Sequence, residues 1–420
     1  MNTIILSIGD ELVLGQTLDS NSAWLSARLA DRGIIPLYHK TIPDDLEATV
    51  TALRLAAEIT DLVIVTGGLG PTMDDLTRQA FAALMHKPLD LHPPSLERMR
   101  AFFKLLGRDM PASNRVQAQI PRGAEVLDND WGTAPGIKVK IGKTLFFALP
   151  GVPYEMEKMA ERYIFPLFDH GSGKVVCVES LATFGAGESV VAEKLGELMR
   201  RDRNPLVGTT VSGGVVTIRL RSEAPTFELA QKQLARAVAL VKDRLGVLVF
   251  AEGNQTLAGA VGHLAKTKAK RLATAESCTG GLVAKMLSDL PGASEWFEGG
   301  WVTYSNALKI KQLSVPAALI QKEGAVSEAV VSAMAEGALK HSVADFSVAL
   351  TGVAGPDGGS NDKPVGLVWI GVASRQGERI VSKAESFKFP GNREMIRDRA
   401  AKTALNLLRL ELMKSTGCVL

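Results

Sequence analysis

Cysteine is scarce in this chain. Cys177, Cys278 and Cys418 are the only three, and they lie far apart. That spacing fits neither a disulfide framework nor a zinc-binding pattern. Long apolar runs are also missing: no stretch approaches the roughly 18 uninterrupted apolar residues that a membrane span needs. Charge of one sign is not in excess. The 48 Lys and Arg residues stand against 45 Asp and Glu, for a net +3, and the basic residues are scattered. Without a basic stripe or an aromatic stacking platform, nucleic-acid binding is not expected. The opening apolar run, residues 4–8, is too short for a secretory signal and has no basic lead. A cytoplasmic protein without a membrane association is the expectation.

The 420 residues exceed one ordinary core and predict two or three domains. In the first, residues 1–170, short apolar strands at 4–8, 34–37 and 62–65 alternate with helical patterns at 21–32 and 46–59. Such alternation implies a parallel sheet covered on both faces. Residues 136–149 read as a hairpin turning near Gly142, followed by a helix over 152–168. Near Gly171 the pattern changes. A small α+β unit over 171–253 is expected, with a strand at 175–184, a helix at 188–199, a hairpin across Gly213-Gly214 and a long helix at 225–244. After 251–254 a third, α/β domain over 254–420 is expected. Its strands are placed near 271–275, 300–304, 346–350, 366–373 and 380–387, and its closing helix over 392–413.

The most informative stretch is Glu276-Ser277-Cys278-Thr279-Gly280-Gly281. It joins a strand to a helix expected to open at Ser277. A serine there meets unpaired backbone N–H groups at the positive end of a helix, and the glycines let a ligand approach the backbone. This suits a nucleophile whose intermediate carries an oxyanion. A serine before a helix is also an ordinary cap, but a cap does not need two glycines in the first turn. The nucleophile needs a base. The C-terminal third has only His263 and His341, both in helical patterns, so a Ser-His-Asp triad is not expected. A partly desolvated lysine is the alternative. Lys309 is placed for it, in the first turn of a helix that Asn306 can cap, after a strand delivering Tyr304. Cys278 is a rival nucleophile, although its side chain should point away from that of Ser277. A glycine-rich loop, residues 351–359, follows a buried strand and suits phosphate or ribose. Arg393 and Arg397, one turn apart, could clamp a phosphate.

Taken together, Ser-Cys-Thr-Gly-Gly (277–281), Val-Thr-Tyr-Ser-Asn (302–306) with Lys309, Thr-Gly-Val-Ala-Gly-Pro (351–356) and Lys-Pro-Val-Gly (363–366) resemble the C-terminal domain of the CinA (competence/damage-inducible protein A) family. The resemblance implies hydrolysis of nicotinamide mononucleotide (NMN) to nicotinic acid mononucleotide and ammonia, without metal or other cofactor. It implies Ser277 as nucleophile, Lys309 as base, and Tyr304 and Thr351 in assisting roles. Thr279, Gly280, Gly281, Asn306, Gly352 and Gly355 would line the substrate site, and Arg393 or Arg397 would bind substrate.

The resemblance covers the whole chain. Gly-Asp-Glu-Leu (9–12), Thr-Gly-Gly-Leu-Gly-Pro-Thr (66–72) with Asp74-Asp75, Gly-Thr-Ala-Pro-Gly (132–136) and Pro-Gly-Val-Pro (150–153) with Glu155 resemble the family's molybdopterin-binding-like domain. That domain is associated with ADP-ribose pyrophosphatase activity dependent on a divalent metal such as Mg²⁺. Gly67, Gly68 and Gly70 could hold phosphates on backbone amides. Asp10, Glu11, Asp74 and Asp75 supply hard oxygens, with Asp10, Asp74 and Asp75 as the expected ligands. Asp74 and Asp75 could equally do no more than favour a helix N-terminus. Residues 171–253 resemble the family's KH-type linker. The Gly-x-x-Gly loop of RNA-binding KH domains is replaced here by Gly-Ala-Gly-Glu (185–188), so the unit reads as a spacer or dimer surface. A homodimer is the family expectation. Two other readings remain open: the N-terminal domain as the main activity, or a non-enzymatic pterin-binding or competence accessory protein.

Overall fold

The computed structural model describes residues 2–168, 175–253 and 255–414. It divides into two compact units, residues 1–177 with 222–231, and residues 178–221 with 232–420. The boundary expected near Gly171 and the last residue of the boundary expected at 251–254 lie outside the described residues. Among the described residues no helix is long and apolar enough to cross a membrane.

The first unit is built on a six-stranded sheet in the order Pro36–Ile42, Thr3–Ile8, Leu62–Thr66, Thr144–Leu149, Gly136–Ile141, Glu125–Leu127. The first four strands are parallel, and the last two join antiparallel. Alternating side chains supply two cores. Ile4, Leu6, Val63 and Val65 pack with Leu53, Ala56 and Phe81 of the helices Leu46–Ile59 and Thr77–Met85. Ile5, Leu62 and Ile64 pack on the other face with Leu25, Leu29, Met156 and Met159 of Ser20–Ala30 and Pro153–Tyr163. Each central strand is therefore apolar on both faces, which is why it reads as an unbroken hydrophobic run. The helix expected over 152–168 ends at Tyr163 and resumes as a short 3₁₀ turn, Phe165–Leu167, where Pro166 lacks the N–H that would continue it.

A four-stranded sheet follows, in the order Leu206–Ser212, Val215–Ala224, Val175–Thr183, Val249–Glu252. Gly213 and Gly214, at φ 53° and 81°, turn its hairpin, as a two-residue type I′ connection requires.

The C-terminal domain has five strands, ordered Phe297–Val302, Leu272–Glu276, Phe346–Gly352, Leu367–Gln376, Arg379–Lys388. The first three are parallel and the last two antiparallel. Leu272, Val348 and Leu350 pack against the helices Leu257–Thr267 and Arg393–Lys414. Ala273, Ala275 and Ala349 face the opposite core, with Val330, Met334 and Ala338 of Glu328–Lys340. Parallel strands with connections on both faces leave their carboxyl ends clustered at one edge, where open α/β sheets bind ligands.

Candidate active site

At that edge the strand Leu272–Glu276 lies between Phe297–Val302 and Phe346–Gly352. Backbone pairing continues one residue beyond the strands. The Ser277 N–H donates to the Leu350 carbonyl at 3.0 Å, and the Thr303 N–H to the Glu276 carbonyl at 2.8 Å. These bonds fix the first residue of each loop.

Lys309 reaches this point from the helix Asn306–Leu313. Its Nζ lies 3.0 Å from Ser277 Oγ and donates to the carbonyls of Thr303 at 2.9 Å and Tyr304 at 3.3 Å. Ser277 is 8% exposed and Lys309 1%. Burial holds the Lys309 ammonium below the usual lysine range, with the Cys278 thiol opposing the shift. A neutral lysine amine keeps two N–H donors for the two carbonyls and turns its lone pair to the Ser277 hydroxyl. Cys278 is itself buried, and desolvation pushes its thiol up to about 11. Little thiolate exists at neutral pH, which favours Ser277 as nucleophile. Neither histidine of this domain bonds Ser277 among the described residues; His341 lies 2.9 Å from Ser314 Oγ instead.

Several expected placements are corrected. Ser277 does not open a helix. It begins a turn, and the helix Leu282–Ser288 starts five residues later, after Gly281. Gly280 and Gly281 have φ of 60° and 90°, a left-handed backbone that stops a right-handed helix from forming through them. The N–H groups of that helix are not free for an oxyanion either. Val283 and Ala284 donate theirs to the Glu276 carboxylate at 3.1 and 2.8 Å, and the Gly280 N–H goes to the Ser277 carbonyl at 3.1 Å. Tyr304 lies two residues beyond its strand and is 59% exposed. Ser305, not Asn306, caps the helix carrying Lys309, its hydroxyl accepting the Leu308 N–H. The Thr351 hydroxyl donates to the Ala325 carbonyl at 2.8 Å. Gly352 is a packing glycine: a Cβ there would meet the Leu367 carbonyl oxygen at 2.6 Å.

The final helix ties the loops together. Arg393 donates to the Gly355 carbonyl at 2.7 Å and the Tyr304 hydroxyl at 3.0 Å. Arg397 donates to the Thr279 carbonyl at 2.6 Å, and its Nε is buried without a partner, as is the Thr279 hydroxyl. Both arginines border the site, one beside its exposed rim and one under the turn. Glu276, one residue past the strand expected at 271–275, closes the observed strand Leu272–Glu276 and is fully buried. The acid directly before the serine was the available signal.

In the N-terminal domain a cleft of about 410 Å³ opens beside the Gly67–Gly70 turn and is also lined by Glu11, Asp44, Asp74, Asp75 and Glu155. Gly67 and Gly68 have φ of 95° and 66°. Arg78, 2% exposed, braces this turn through the carbonyls of Leu69 at 2.5 Å and Gly70 at 2.8 Å. Asp10 and Asp44 clasp reciprocally: each backbone N–H donates to the other's carboxylate, at 2.9 and 3.1 Å. Burial raises the Asp44 carboxyl, and the charges of Asp10, Glu11 and Asp74 add to the shift. Burial likewise raises Glu155, against a 2.6 Å hydrogen bond from Asn129. The expected ligand trio does not assemble. Asp75 accepts the N–H groups of Gly70 and Thr72, at 2.7 and 2.8 Å, and the Thr72 hydroxyl, so it holds the turn. Among the described residues no three His, Cys, Asp or Glu side chains are placed to hold a metal ion. Asp44 and Glu155 were not expected as cleft residues: Asp44 comes from a loop and Glu155 from the first turn of the helix Pro153–Tyr163, with no shared spacing to link them.

A three-part α/β chain with a serine–lysine pair at a parallel-sheet edge is the class that fold and site define. Family models match along its length: the probable molybdopterin binding domain at residues 4–170, the damage-inducible protein CinA KH domain at 179–251, and the CinA C-terminal domain at 254–412. A "CinA-like protein" of Geobacter sulfurreducens is 42% identical over 415 residues, 98% of this chain and 100% of the relative. Another, of Dictyoglomus thermophilum, is 40% identical over 413 residues, again 98% and 100%. A crystal structure of "competence/damage inducible protein CihA from Agrobacterium tumefaciens" is 38% identical, covering 37% of this chain and 96% of that one, with a TM-score of 0.34. The chain belongs to the CinA family.

Proposed function

We propose that the C-terminal domain hydrolyses the carboxamide of NMN, giving nicotinic acid mononucleotide and ammonia. The observation that carries this reading is the buried Lys309 Nζ 3.0 Å from Ser277 Oγ, since an amide hydrolase needs a nucleophile beside a base that is neutral at working pH. The Ser277 oxygen attacks the carboxamide carbon while Lys309 takes its proton. The N–H groups of Cys278 and Thr279, which lie against the weakly accepting Cys278 sulfur, can turn to the oxyanion. Lys309 returns the proton to the leaving nitrogen, and ammonia departs. Lys309 then takes a proton from water, the hydroxide displaces Ser277 Oγ from the acyl carbon to release the acid, and Lys309 returns the proton to the serine oxygen. The test is ammonia release from NMN in EDTA by the intact chain and by Ser277→Ala. Release by the first alone supports the reading; equal rates, or none from either, sink it.

The N-terminal cleft supports a second reading, a pyrophosphatase acting on ADP-ribose with a divalent metal. A glycine turn with two left-handed residues beside an open cleft rich in carboxylates favours it. Of the expected ligands, Asp75 is engaged in holding the turn and Asp10 in its clasp with Asp44, which leaves Asp74 as the one facing the cleft without either tie. ADP-ribose turnover lost in EDTA and restored by Mg²⁺ is the expected outcome. Turnover untouched by EDTA would end the metal-dependent reading.

A further inference from the structure

We propose that Glu276 is a positioning residue for the Ser277 nucleophile. This rests on the reading of Ser277 as a nucleophile, and it adds a part that the serine–lysine pair does not supply. Glu276 closes the strand Leu272–Glu276 and is 0% exposed. A buried carboxylate is costly unless its oxygens are bonded. Here both are: one oxygen takes the Val283 N–H at 3.1 Å and the other the Ala284 N–H at 2.8 Å. These are charge-assisted bonds at the positive end of a helix, the stronger class of hydrogen bond.

The consequence is geometric. Glu276 and Ala284 bracket the turn that carries Ser277. Its near end is fixed by the main chain, through Ser277 N–H to Leu350 and Thr303 N–H to the Glu276 carbonyl. The far end is fixed by the side chain of the same Glu276. Between them, Gly280 and Gly281 sit in the left-handed region, which glycine enters without steric cost, and glycine is the residue with the most backbone freedom to lose. Without the carboxylate clamp, that end of the turn keeps the apolar packing of Val283 and Leu287 and the Arg397 bond to the Thr279 carbonyl, but it loses its hydrogen bonds to the strand. The clamp therefore holds Ser277 Oγ on the Lys309 amine, and it occupies helix N–H groups that would otherwise compete for the oxyanion. Glu276 has no bond to Ser277 Oγ or Lys309 Nζ among the described residues, so it acts through the backbone, not as a base.

Glu276→Gln keeps the shape but places an NH₂ against one of the two N–H donors. The full-length variant is compared with the wild type by three measurements: thermal unfolding, NMN kinetics across pH, and the rate at which a fluorophosphonate labels Ser277. The expected result is a folded protein with kcat down about 10²-fold, the loss typical of a small misplacement of reacting groups. KM and the pH midpoint set by Lys309 should stay in place, and labelling should slow in parallel with kcat. Wild-type kcat and labelling in a folded variant would overturn the inference, as would a shifted pH midpoint or a change in KM alone. If Glu276→Gln does not fold, Glu276→Asp decides, since it keeps the charge but withdraws it by one methylene; wild-type labelling there overturns the proposal. Labelling needs no carboxamide. A wild type that labels but leaves NMN intact sinks the amidase reading alone, and slower labelling of the variant then still supports the clamp. A wild type that does neither sinks both.

Discussion

The turn at 67–70 and the turn at 277–281 use the same backbone device for different ends. Each follows a buried parallel strand, and each contains two adjacent left-handed glycines. Each is braced by an acid that takes backbone N–H groups: Asp75 from Gly70 and Thr72, Glu276 from Val283 and Ala284. They differ in what the turn faces. The first borders an open cleft with carboxylates on its walls, while its buried cation, Arg78, sits on the turn's own carbonyls. The second presents a hydroxyl to a buried lysine. One arrangement offers backbone amides and hard oxygens to a ligand from solvent. The other holds a reacting pair ready in a dry setting, where a lysine can work as a base. Glycine at a strand end thus marks a site, and the polar side chains around it decide the chemistry.

The comparison breaks most sharply at the reacting pair. Ser277→Ala and Lys309→Ala should each lower ammonia release from NMN by about 10⁴-fold or more, because members of a catalytic unit fail together. ADP-ribose turnover, measured in the same preparations, should not change. Lys309→Arg should be as damaging as Lys309→Ala, since a guanidinium does not release its proton. The pH profile sharpens the point. Protonated Lys309 cannot accept the Ser277 proton, so the rate should rise with pH as the ammonium ionises. Burial lowers that pKa, and the midpoint should therefore fall below lysine's ordinary 10.5. A midpoint at or above that value would contradict a buried base.

The bracing residues come next. Arg78→Ala strips the Leu69 and Gly70 carbonyls of their donor inside the protein. A loss of about 3 kcal/mol in N-terminal domain stability is expected, the scale for breaking a buried charged contact; thermal unfolding checks it. Asp75→Asn leaves the turn with a weaker acceptor and should cost about 1 kcal/mol. If Asp75 were instead a metal ligand free of the turn, that variant would keep its stability and lose only metal-dependent turnover.

Much of this was legible in the sequence because it depends on local pattern. Buried strands such as Leu62–Thr66 read as apolar runs, and Gly213-Gly214 read as a hairpin turn. Ser277 was singled out by its type just past a strand, and Lys309 by its place in the first turn of the helix after the next strand. What escaped notice depends on tertiary bonds. The helix start moved to Leu282 because two glycines took left-handed angles and Glu276 capped the helix from the strand. Asp75 reads as a ligand by residue type alone, whereas its carboxylate accepts the N–H groups of Gly70 and Thr72. The Arg393–Arg397 pair could not be resolved by spacing, since both lie on one helix and only their partners differ.

Those partners give the smallest expected effect and the means to separate the two arginines. Tyr304 is exposed, and its hydroxyl meets Arg393, which also holds the Gly355 carbonyl. The side-chain bridge spans the rim of the site and bonds neither Ser277 nor Lys309; Tyr304 meets Lys309 only through its main-chain carbonyl, which the substitution leaves in place. Tyr304→Phe should therefore raise KM for NMN by about threefold with kcat retained, the pattern of lost uniform binding. Arg393→Ala removes both ends of the bridge and should raise KM further, again sparing kcat. Arg397 is placed differently, under the Thr279 carbonyl within the turn, so Arg397→Ala should lower kcat as well. Equal KM effects with intact kcat in both arginine variants would show that the two act as one substrate clamp, and would remove Arg397 from the support of the turn.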